Sequence, residues 1–78
     1  MHELAAAQDV VRAVLQVAEE QGAQRLTAIA LRVGRLYAAE HLRDLVAIAA
    51  QGTIAEGARL EVEAAPGSDI QVASIDIE

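Results

Sequence analysis

The chain has 78 residues and a formal net charge of −6, set by twelve acidic residues against six arginines, with no lysine and no cysteine. That balance argues against nucleic acid or an anionic membrane as a main partner, since both need a basic footprint. The missing cysteine excludes disulfides, thiolate metal sites and cysteine nucleophiles.

One domain spanning residues 1–78 is what this length allows, near the lower limit for a self-sufficient core. Most of the hydrophobic class is alanine, and Tyr37 is the sole aromatic residue. The core must therefore rest on Leu, Val and Ile, and a domain this small gains from a partner surface or from self-association.

The sequence opens Met1-His2-Glu3-Leu4. A free amino terminus followed at once by histidine places an amine, an imidazole and intervening backbone nitrogens within a few bonds. Such a set suits Cu(II) or Ni(II), which accept tetragonal nitrogen coordination, better than Mg or Ca. Amine and imidazole must lose their protons to bind, so affinity rises with pH. No basic start and apolar run mark a signal peptide, and no stretch approaches a membrane span; a cytoplasmic protein is expected.

Leu4, Ala7, Val11, Val14, Leu15 and Ala18 follow the spacing of one helix face, which predicts a helix over His2–Gln21 stopped by Gly22. Arg25–Gly34 switches to strand alternation: Ile29, Leu31 and Val33 face the core, opposite Ala28, Ala30 and Arg32. That second face, with two alanines, reads as a partner surface or as a plain solvent face. A second helix is predicted over Ala39–Gln51, with Leu42, Leu45, Val46 and Ala49 inward and Ile48 at the margin. Gly52–Gly57 is turn-rich. A strand over Ala58–Ala64 turns Leu60 and Val62 inward, and Ala65-Pro66-Gly67-Ser68 marks a tight reversal.

The last stretch, Asp69–Glu78, changes phase. Ile70 and Val72 share one parity, Ile75 and Ile77 the other, so regular alternation cannot aim all four at the core. One extra residue near Ala73-Ser74 can, which predicts a β-bulge there. The order α-β-α-β-β gives an α/β (α+β) fold: a two-layer sandwich with two helices on one face of a three-stranded sheet. The last two strands are expected to form a hairpin.

Met1-His2-Glu3-Leu4, Leu31-Arg32-Val33-Gly34, Gly52-Thr53-Ile54-Ala55-Glu56-Gly57-Ala58 before Leu60-Glu61-Val62-Glu63, and Ile70-Gln71-Val72-Ala73-Ser74-Ile75-Asp76-Ile77-Glu78 together resemble the HypA/HybF family of nickel metallochaperones. The resemblance implies Ni(II) bound through the Met1 amine, the His2 imidazole and backbone nitrogens of His2 and Glu3. The Glu3 side chain orients the ligands from behind them or stabilises a helix start. His41, the other imidazole, is an additional ligand if its helix turn packs near residue 2, and otherwise a solvated surface histidine. Implied partners are hydrogenase maturation factors or the hydrogenase apoenzyme, with urease as another destination, and a homodimer is compatible.

Two departures stand out. The family's zinc insertion, built on two Cys-x-x-Cys pairs, is absent between Glu63 and Ile70, so no zinc is expected and the fold must be metal-independent. Gly34-Arg35-Leu36 replaces the family's Gly-Glu-Leu. Thr27, Thr53, Ser68 and Ser74 have no evident base, and no phosphate loop exists, so the chain does not read as an enzyme. The alternative to a carrier is a metal-independent interaction or dimerisation module, or a regulator, built on the same fold.

Overall fold

The computed structural model describes residues 3–78. Helix α1 spans Glu3–Glu20 and buries Ala7, Val10, Val11, Val14 and Ala18. Val10 is buried at 7% exposure, whereas Leu4, in the first turn, keeps 46%. The predicted core thus gains Val10 and loses Leu4. The helix ends in a Schellman motif: Gly22 N–H donates to Glu19 O at 3.0 Å and Ala23 N–H to Ala18 O at 2.9 Å. Gly22 adopts φ 68°, the left-handed conformation this stop requires.

Strand β1 (Leu26–Val33), helix α2 (Ala39–Ala49), strand β2 (Arg59–Ala64) and strand β3 (Ile70–Ile77) follow, in the predicted order α-β-α-β-β. Both helices lie on one sheet face. There Leu42 and Val46 of α2 meet Val14 of α1 and Leu26, Ile29, Leu31 and Val33 of β1 in a single apolar cluster. No buried charged or polar residue interrupts that cluster among the described residues. None of the described helices is long and apolar enough to cross a membrane.

The expected hairpin between the last two strands does not form. The sheet order is β2-β1-β3, with β2 parallel to β1 and β3 antiparallel to it. Strand β1 takes the centre as the most buried of the three strands, with Leu26, Ile29, Leu31 and Val33 on one face and Ala28 and Ala30 on the other. The connection after β2 therefore crosses the end of β1 instead of folding back. Ala65 N–H donates to Val33 O, Gly34 N–H to Asp69 O and Arg35 N–H to Gly67 O, at 2.8–3.0 Å. Gly34 permits this crossing, since a Cβ there would stand 2.6 Å from Gly67 O and 2.8 Å from Ser68 backbone atoms.

The bulge falls where the phase change places it. Ala30 pairs with Ser74 and Leu31 with Val72, which leaves Ala73 as the extra residue. A second irregularity, between Leu26 and Ala28, makes Thr27 the extra residue of β1. Its hydroxyl donates to Asp76 O at 3.2 Å. With both in place, Ile70, Val72, Ile75 and Ile77 pair with Val33, Leu31, Ile29 and Leu26, and all four share the core face.

Candidate functional site

The first turn of α1 and the first turn of α2 meet through Glu3. Helix α2 begins at an N-cap, Ala38, whose extended backbone (φ −80°, ψ 112°) is ordinary for that position but whose side chain cannot cap. Glu3 fills the gap from the other helix: its Oε2 accepts from Ala38 N–H at 3.4 Å. A carboxylate at a helix amino end meets unsatisfied N–H groups and the positive end of the helix dipole. The other oxygen, Oε1, lies 3.2 Å from His41 Nδ1, an approach that suits an Nδ1–H donor. The fully buried Leu42 beside it fixes the turn from below, and its N–H closes the first helical bond onto Ala38 O at 2.9 Å.

Exposure divides the pair. The Glu3 side chain is 25% exposed and that of His41 57%, so the carboxylate is tucked between the helices and the imidazole stands at the surface. An Nδ1–H directed at Glu3 leaves Nε2 as the ring nitrogen not engaged by that contact. This is how a carboxylate sets the tautomer and orientation of a ligating histidine.

Of the four residues singled out in the sequence, Glu3 and His41 are brought together; Met1 and His2 lie outside the described residues. Among the described residues, no group of three or more His, Cys, Asp or Glu is arranged to hold a metal ion. Glu3 and His41 alone are therefore a pair and not a metal centre. What sequence reasoning missed is the reach of Glu3, which serves the start of the other helix. Local spacing carries no signal for a contact across 38 positions.

Two other hollows among the described residues are lined without histidine. A cavity of about 240 Å³ between α1 and β3 is lined by Ala13, Val14, Val17, Val72, Ser74 and Ile75, with no titratable group. On the open sheet face, a hollow of about 90 Å³ lies over Ala28 and Ala30 between Arg59, Glu61, Ser74 and Asp76.

Comparison with known proteins gives one consistent picture. The family described as HypA, hydrogenase/urease nickel incorporation, metallochaperone, matches residues 1–70. The hydrogenase maturation factor HypA of Methanopyrus kandleri is 45% identical over 65 residues, covering 81% of this chain and 46% of that protein. HypA of Archaeoglobus fulgidus is 44% identical over 64 residues, covering 80% of this chain and 58% of that protein. The hydrogenase maturation factor HybF of Salmonella typhimurium is 38% identical over 68 residues, covering 85% of this chain and 60% of that protein. The chain thus spans about half to three fifths of the length of the curated relatives it matches.

Proposed function

Because the chain belongs to the HypA family of hydrogenase/urease nickel-incorporation metallochaperones, we propose that it carries Ni(II) as cargo on its amino-terminal segment and delivers it during hydrogenase maturation. The Met1 amine, the His2 imidazole and backbone nitrogens of His2 and Glu3 hold the ion. A planar nitrogen set of this kind suits Ni(II). The observation that carries the reading is the contact between Glu3 and His41. It anchors Glu3, the residue that follows Met1 and His2 in sequence, on two packed helices beside the His41 imidazole.

Delivery proceeds by ligand exchange to a hydrogenase maturation factor or the hydrogenase apoenzyme in the cytoplasm, with urease as the other recipient the family description names. The chain acts as a carrier and not as a catalyst. In this reading the family's zinc insertion is absent between Glu63 and Ile70, since the chain has no cysteine to build it.

Calorimetric titration of untagged protein with Ni(II) tests the reading. One site per chain is expected, lost in His2→Ala and lost again when the amino terminus is acetylated. Equal binding by wild type and His2→Ala would refute the assignment, and no binding by wild type would leave the metal-independent interaction module.

A further inference from the structure

Strand β2 is bonded to β1 along one edge, and among the described residues nothing bonds the other. Open edges are templates for pairing, and natural proteins guard them with charge. The charges of β2 alternate in sign, Arg59 then Glu61 then Glu63, so the guard depends on register.

Two strands related by a two-fold axis perpendicular to a shared sheet keep their faces, so a residue must sit on the axis. Centred on Arg59 or Glu61, that residue opposes its own charge. Centred on Val62, Glu61 opposes Glu63, and centred on Glu63 the strand opposes two carboxylates again. Centred on Leu60, each Arg59 faces Glu61 of the other copy, and no like charges stand opposite.

We propose that β2 pairs antiparallel with β2 of a second copy about a two-fold axis through Leu60, making a six-stranded sheet with four helices on one face. The apolar side supports the same register. Ala58, Leu60 and Val62 are half-buried; in this arrangement Leu60 meets Leu60 and Ala58 meets Val62. Small against large fits a cross-strand pair. The opposite edge does not qualify, since β3 and its flanks carry Asp69, Asp76 and Glu78 with no basic residue. Self-pairing there gathers acid against acid.

Within one chain, the Arg59 Nε donates to Glu61 Oε2 at 2.9 Å, but both side chains are more than half exposed. Such a pair adds little to folding, so changing it tests association and leaves the fold intact. Sedimentation equilibrium of the metal-free full chain over a concentration series should show wild type rising to twice the monomer mass. Arg59→Glu and Glu61→Arg should each stay monomeric where wild type is dimeric, because each then opposes like charges. An equimolar mixture of the two variants should recover the dimer, since acid again faces base. That recovery also excludes misfolding as the cause of the single-variant loss. A wild type that is monomeric throughout, single variants that dimerise like wild type, or a mixture that stays monomeric would each overturn the proposal. No nickel is present, so the outcome is independent of the carrier reading.

Discussion

Glu3 Oε1 and His41 Nδ1 stand 3.2 Å apart across 38 positions of sequence, and Glu3 Oε2 reaches the Ala38 N–H that opens α2. The start of the first helix and the start of the second are thereby one local structure.

Removing the carboxylate should loosen that junction. Glu3→Ala leaves the amino end of α2 without its cap and His41 without its acceptor, and a lost cap is worth about 1 kcal/mol. Urea unfolding should show a lower midpoint of that size with an unchanged slope. In a double-mutant cycle with His41→Ala, the coupling should be about 0.2–1 kcal/mol, because the imidazole is mostly exposed.

Nickel affinity should separate the two histidines. His2→Ala is expected to abolish the site. His41→Ala should weaken it about tenfold, the low end for groups that support or orient metal ligands. A competition titration against a chelator of known affinity reads both. His41→Ala binding as tightly as wild type would reduce the contact with Glu3 to a structural role.

The crossing over β1 should tolerate no side chain at position 34. In Gly34→Ala the new methyl meets Gly67 O and the Ser68 backbone, atoms that cannot swing aside as a flexible side chain can. Overpacking of this kind costs about 1–3 kcal/mol. Gly52→Ala would meet open space but adopts φ 80°, so its cost comes from backbone strain alone. Thermal unfolding of the two variants compares steric overlap with strain.

Deleting Ala73 should be more damaging than replacing it. The residue is exposed, so a substitution that keeps the chain length should be nearly silent. Deletion removes the bulge and moves Ile70 and Val72 to the solvent face, or Ile75 and Ile77 if the slip runs the other way. Circular dichroism and a melting curve should show a destabilised or unfolded deletion variant beside a native-like Ala73→Ser.

The sequence carried the elements and their order because their signals are local. The spacing of Ala7, Val11, Val14 and Ala18, the glycine at position 22 and the alternation of Ile29, Leu31 and Val33 each report on a few neighbouring residues. The bulge at Ala73 was legible for a stricter reason: four isoleucine and valine side chains can face one core only if a residue is spare. Strand order was not legible, because Ala65-Pro66-Gly67-Ser68 is compatible with a reversal and equally with a short crossing. The choice between them rests on Gly34, more than thirty positions earlier, leaving room for the chain to pass. The link from Glu3 to Ala38 and His41 is of the same kind, since it exists once packing of the two helices has brought their starts together.

Strand β1 acquires its second neighbour from Ile70–Ile77, which gives the order of synthesis a physical meaning. A nascent chain that stops short of Ile70 can offer β1 at most β2, so one side of the central strand stays open while the ribosome is still at work. Pairings this distant in sequence are slow to find, and exposed edges at that stage invite misassembly. The sheet closes last at the place where it began.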